Sequence, residues 1–188
     1  KGGSELFREG KIDLQPPAGG LVKKLNCFPA LADMGIVRQG IAENPSFINK
    51  KTNEKYGNRW ETGQGVFVLR PAELRSLRLG AQDKRLLRPY HHLCDLGRYV
   101  KRAASYHLIY STRRTWPKLS EYPRLAEHLR CFRPLMERRR ETRKGANSWW
   151  HLHWPRDEKV WESAKLLSLQ MGKRPGFVPA AGATYVPF

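Results

Sequence analysis

A folded chain that mixes strands with helices is what this sequence predicts, on three observations. Two runs, Gln64–Arg70 and Ser105–Ser111, are rich in β-branched and aromatic residues, as strands are. Tyr122, Leu125, Leu129, Phe132 and Met136 recur at spacings of 3 and 4, the single apolar stripe of a helix. Apolar residues make up 40% of the 188 and aromatic residues 11%, enough for one core and too much for a disordered basic tail.

The elements follow in order. Residues 1–33 are expected to form a flexible entry, broken by Pro16-Pro17-Ala18-Gly19-Gly20, with a first strand near Leu21–Phe28. Residues 34–188 are expected to form a single domain. Met34–Ile41 reads as a short strand between glycines, and Asn44–Arg59 as a polar loop. Gly63 and Gly65 lead into the strand Gln64–Arg70. Pro71 then opens a short helix over Ala72–Leu79, with Gly80 as its left-handed cap. Lys84–Leu87 adds a helical turn before Pro89. Ser105–Ser111 is a strand covered on both faces, and Thr112–Lys118 a basic loop.

The long helix starts at Ser120 as N-cap, with Pro123 in the first turn, where its missing donor costs little. Pro134 kinks it or ends its regular part near Arg130. Arg138-Arg139-Arg140 closes it and favours the negative end of the helix dipole. Trp149–Trp154 alternates as a strand would, with Trp150, Leu152 and Trp154 on one face. A short helix or turn from Trp161 and a strand around Lys165–Leu169 follow. Residues 172–188 are Gly- and Pro-rich.

Charge narrows the function. Lys plus Arg is 35 and Asp plus Glu 17, for a formal charge of +18. Such an excess points to a polyanionic partner, most often nucleic acid. Residues 84–144 hold 17 Lys/Arg against 5 Asp/Glu, and 13 of the 17 are Arg, which suits bidentate contacts to phosphate and guanine. A second cluster, Lys50, Lys51, Lys55 and Arg59, is interleaved with Asn49, Asn53, Tyr56 and Asn58. No apolar run approaches the ~18 residues of a membrane span. Cys27, Cys94 and Cys131 fit neither a disulfide framework nor a zinc spacing, and are expected as buried thiols in a reducing cytosol. The chain opens at Lys1 without a signal pattern or initiator Met, so a piece of a longer protein is expected.

Chemical motifs are sparse. His151 and His153 would share one face of a strand, yet no third ligand at a sensible spacing completes a metal set. His91 and His92 read as ordinary polar residues. There is no nucleophile elbow, P-loop or dinucleotide fingerprint, and no acidic cluster for a two-metal nuclease. Asn44-Pro45-Ser46-Phe47 comes near the tetrapeptide of amino-group DNA methyltransferases. Ser46 breaks that motif, and no Gly-rich methyl-donor motif precedes it.

Taken in order, a longer series of segments does follow a family pattern. It runs through Thr62–Leu69, Leu87-Arg88-Pro89-Tyr90, Asp95–Tyr99 and Tyr106-His107-Leu108-Ile109-Tyr110. It continues with the helix from Tyr122-Pro123 to Arg139, Trp149-Trp150-His151-Leu152, Pro155-Arg156 and Trp161–Leu167. This order resembles the C-terminal target-recognition domain of TaqI-like adenine-specific DNA methyltransferases and of fused type IIG restriction–modification enzymes. The likeness covers roughly residues 30–185. It departs from the pattern at Ala164, where the family has Pro, and at Pro134.

The resemblance implies an α+β fold, a twisted, partly barrel-like, strand-rich recognition lobe with packed helices. It implies a prokaryotic, cytoplasmic protein whose partners are double-stranded DNA and the catalytic methyltransferase domain of the same parent chain, with no membrane. S-adenosylmethionine would belong to that catalytic domain, so no cofactor and no catalytic residue are expected here. Loops bordering the strands would read DNA. Arg59, Arg113 and Arg114 are then candidates for guanine or phosphate, and Asn53, Asn58 and Asn147 for adenine-type edges. Lys50, Lys51, Lys55, Lys118, Arg143 and Lys144 are candidates for phosphate. Trp116 would either wedge between bases or pack. A type I restriction specificity-subunit half, an RNA-binding module and a stand-alone enzyme are the alternatives.

Overall fold

The structure, a computed structural model, describes residues 7–8, 11–12, 35–97, 99–168 and 176–188. The chain divides into two units, Lys1–Gln39 and Gly40–Phe188. In the first, β1 (Phe7–Arg8) pairs antiparallel with β2 (Lys11–Ile12). The strand expected near Leu21–Phe28 lies outside the described residues.

The second unit mixes α and β, with small antiparallel sheets and seven short helices among the described residues. The described sheets do not close into a barrel. The central sheet has three strands, β3 (Val68–Leu69), β7 (Tyr106–Ile109) and β4 (Leu87–Tyr90). β7 lies in the middle and is antiparallel to both neighbours, with Val68 opposite Leu108 and Leu87 opposite Ile109. Pro89 is tolerated because β4 is an edge strand, where a missing donor breaks no ladder. β5 (Leu96–Gly97) pairs with β6 (Val100–Lys101), and β8 (Lys165–Ser168) with β9 (Phe177–Ala180).

Helices pack on the central sheet. α1 is Lys50–Lys55, α2 Pro71–Ser76, α3 Ala81–Lys84 and α4 Pro123–Arg130. α5 is Arg133–Met136, α6 Arg140–Arg143 and α7 Glu158–Glu162. The apolar stripe read from the sequence is the core face: Leu125, Leu129, Phe132 and Met136 are fully enclosed beside Phe67, Leu108, Ile109 and Trp116. Two carboxylates tie helix starts to neighbouring segments. Glu73 accepts from the backbone N–H of Gly65 (2.7 Å) and Arg70 (2.8 Å), and buried Asp83 accepts from Gly80 (3.3 Å) and Leu125 (3.4 Å).

Several local expectations change. Residues 35–40 carry no regular structure, and Ile41 makes a single bridge to Pro187 rather than lying in a strand. The polar loop at 44–59 contains α1, because Asn49 caps it by accepting from Thr52 N–H at 2.7 Å. Gly80 is not a left-handed cap: α2 ends at Ser76, Arg78 takes the positive φ of 46°, and Gly80 precedes α3. The long helix starts at Pro123 rather than from Ser120, since Pro fixes the φ of the first helical residue. It stops at Arg130, and Pro134 sits in the first turn of α5, as its missing donor requires.

Trp149–Trp154 is no strand. Leu152 N–H bonds the Ser111 carbonyl (2.9 Å), and Asn147 donates to the carbonyls of Leu152 and His153. These bonds coil the run, burying Trp149, His151 and Leu152 and leaving Trp154 40% exposed. Cys94 and Cys131 are free and exposed rather than buried, and Cys27 lies outside the described residues. No helix among the described residues is long and apolar enough to cross a membrane.

Candidate nucleic-acid interface

The first cation cluster rides on α1. Lys50, Lys51, Lys55 and Arg59 are all exposed, and Lys50 stands one turn from Glu54 at 4.0 Å. Of the amides between them, the Asn49 and Asn53 side chains are spent on folding. Asn53 is buried: its Oδ1 accepts from Trp60 N–H (3.0 Å) and its Nδ2 donates to the Trp60 carbonyl (2.6 Å). That removes Asn53 from the base-reading set. Asn58 is exposed at a positive φ of 55°, where Asn is favoured, and its N–H bonds the Asn53 carbonyl. Tyr56 lies beside Trp60 and donates to the Pro134 carbonyl.

The second cluster comes from two loops that touch. Thr112 and Thr115 hold the turn of the 112–118 loop through each other's hydroxyls and the Thr115 hydroxyl's bond to the Tyr110 carbonyl (2.9 Å). Arg113 and Arg114 project from that turn, and Lys118 is exposed at its end. The Arg113 guanidinium donates to the Gly145 carbonyl at 2.7 Å, which brings the turn against the loop carrying exposed Arg143 and Lys144. Asn147 lies there too, but both bonds of its Nδ2 go to backbone carbonyls, so that amide is a loop staple. Trp116 is wholly buried, edge-on to Tyr122, and its carbonyl accepts from Trp150 Nε1 (3.0 Å). Packing is therefore its role, not wedging.

Segment 138–144 links the clusters. The Arg138 guanidinium lies over the Tyr56 ring, 5.3 Å from its centre, beside α1. Arg139, read from the sequence as part of the basic run closing the helix, is buried. It donates to the carbonyls of Asn44 (3.2 Å) and Trp149 (2.9 Å) and stands over the Phe67 ring. Burial lowers its pKa to about 10, with Glu141 opposing. Arg140 is exposed on α6 beside Glu141. The triple arginine is visible in the sequence, but only the packing shows one staple between two surface cations.

Beside the 112–118 turn lies an open cleft of about 340 Å³, lined by Tyr110, Thr112, Arg113, Arg114, Thr115, Asn147, Pro155, Arg156, Asp157 and Glu158. Glu158 is 14% exposed. Its Oε1 accepts from Arg88 Nε (2.7 Å) and the Tyr185 hydroxyl (3.1 Å), and its Oε2 is 3.9 Å from Arg114. Burial works against the Arg88 charge, but the bond and charge of Glu158 outweigh it and raise the Arg88 pKa. Arg156 holds a positive φ of 62° and donates to the Gly40 carbonyl (3.3 Å). Pro155, Arg156, Asp157 and Glu158 were not singled out as site residues from the sequence. The sequence signals there are a dense charged triplet after a proline and the place of Pro155-Arg156 in the ordered series of segments.

His151 and His153 do not form a pair. His151 faces the Trp116 carbonyl and Ser148 N–H, while His153 Nδ1 lies 3.0 Å from Glu141. No group of three or more His, Cys, Asp or Glu side chains among the described residues is arranged to hold a metal ion. No protein-family model matches the chain, and a search of curated proteins returns no match.

Proposed function

We propose that this chain binds duplex DNA as the target-recognition domain of an adenine-specific DNA methyltransferase or a fused restriction–modification enzyme. The observation that carries the DNA-binding part is the link between cation clusters. Arg138 reaches α1, and Arg113 reaches the loop of Arg143 and Lys144, so exposed cations from three distant stretches belong to one connected region. Phosphate contacts from such a region would supply affinity and orientation. The more specific reading rests on the ordered segments of the sequence.

On that reading a catalytic domain in the parent chain supplies the methyl-donor site and holds the flipped adenine. The Asn44-Pro45-Ser46-Phe47 turn is packed, with the Asn44 carbonyl accepting from Arg139, Ser46 donating to Glu43 and Phe47 against Tyr106.

The test is titration of a random-sequence duplex at several salt concentrations, with single-stranded RNA alongside. Neutralising about six phosphates gives a slope of about −5 for log K against log salt. Duplex binding with that slope, stronger than RNA binding, supports the proposal. Stronger RNA binding moves the function to an RNA module. No duplex binding at low salt rejects it.

A further inference from the structure

The cleft beside the 112–118 turn is not needed for phosphate tracking, and its chemistry is two-sided. Its rim carries Arg113 and Arg114, and Arg114 has 80% of its side chain in solvent. Its wall carries Glu158, whose orientation is fixed at Oε1 by Arg88 and Tyr185. The Oε2 atom faces Arg114 at 3.9 Å, beyond hydrogen-bond length, so it is a preset acceptor next to a movable cation. The volume of about 340 Å³ falls within the range of small-molecule sites.

We infer that this cleft takes one unstacked nucleotide of the bound nucleic acid, resting on the DNA-binding reading above. The ligand must offer an anion to the arginines and an N–H donor to a recessed carboxylate. A nucleotide with an exocyclic amino group meets both needs: phosphate against Arg113 and Arg114, amino group against Glu158 Oε2. A guanidinium plane can also cover the face of the base, as arginine does with splayed bases. A base still stacked in a duplex could not reach Oε2, because Glu158 is only 14% exposed at the cleft wall. The site therefore favours nucleic acid that already presents an unpaired residue. Thymine has no exocyclic amino group and offers only its ring N3–H, set between two carbonyls, so it is the weaker ligand.

The experiment compares three duplexes of equal length with the full chain: fully paired, with one bulged cytidine, and with one bulged thymidine. The expected result is about tenfold tighter binding to the cytidine bulge than to paired duplex, the scale of one hydrogen bond to a charged group. The thymidine bulge should gain less. Glu158→Gln should bring the ratio of bulged to paired affinity close to one. Since Glu158 also anchors Arg88, Arg114→Ala at the exposed rim is the second variant, and it should lower the same ratio. Salt-sensitive binding to paired duplex with no bulge preference overturns this inference and leaves the DNA-binding reading standing. A preference that survives both variants places the nucleotide elsewhere and also overturns it. No binding to any of the three overturns both.

Discussion

At the residue scale, similar side chains divide by burial into fold-makers and contact-makers. Asn53 satisfies both backbone groups of Trp60, so Asn53→Ala should cost about 2 kcal/mol by stranding them in the core. Lys51, two positions away and exposed, should change stability by less than about 0.5 kcal/mol when replaced by Ala. It should lower the salt slope of duplex binding by about 1. Thermal unfolding and a salt titration on both variants check this contrast.

His151 makes a pH prediction of definite sign. Trp116 O can only accept and Ser148 N–H can only donate, so the ring is neutral with its proton on Nε2. Burial holds its pKa below the ordinary 6.5; the Trp116 bond opposes this and Arg113 and Arg139 add to it. The unfolded chain takes up a proton near 6.5 that the fold resists. This share of stability is therefore complete above that pH and is lost as pH falls below it. Glu43 acts with the opposite sign, because burial raises its pKa above 4.5 despite bonds from Tyr90 and Ser46. Its contribution is common to both proteins in a comparison with His151→Gln. The melting temperature should fall less in that variant than in the parent chain between pH about 7.5 and 5.5.

At the scale of elements, the sheet and α4 carry the unit, and the turns joining them are tight. Leu129 is fully enclosed in the α4 stripe, and Leu129→Ala should cost about 2–5 kcal/mol in urea unfolding. Gly65 is less obvious. A Cβ there would collide with the Val68 carbonyl and come within 2.8 Å of Glu73 Oε2, the carboxylate that joins Gly65 to α2. Gly65→Ala should therefore cost about 2 kcal/mol or more, read as a lower urea midpoint. The α4 stripe was legible because a spacing of 3 and 4 has one structural meaning. The Trp149–Trp154 alternation was not, because aromatic runs alternate in strands and also in coils held by side-chain bonds.

At the scale of the molecule, the charge of +18 is a property of composition, and its use depends on where it is displayed. Replacing Lys50, Lys51, Arg143 and Lys144 together by Ala removes four exposed cations from both linked clusters. The salt slope should fall by about 3.5, while the melting temperature stays within a few degrees. An unchanged slope would separate these clusters from the binding surface.

The sequence by itself determined the mixture of strands and helices, the core stripe that begins in α4, an interruption of that helix ahead of Pro134 and the concentration of cations in residues 84–144. Each is a local property: a period, a ring-fixed φ or a count of charges. Tertiary structure alone decided that Asn53, Asn147 and Arg139 hold the fold together instead of facing a partner. Asn53 and Asn147 bond backbone groups 5 to 7 residues on, where a loop folds back at no regular period, and Arg139 reaches the Asn44 carbonyl 95 residues away. It also decided that Arg114 and Glu158, 44 positions apart in the chain, share one cleft. Burial and partner geometry arise from packing between distant segments, which is why a polar side chain's task could be read only after the chain had folded around it.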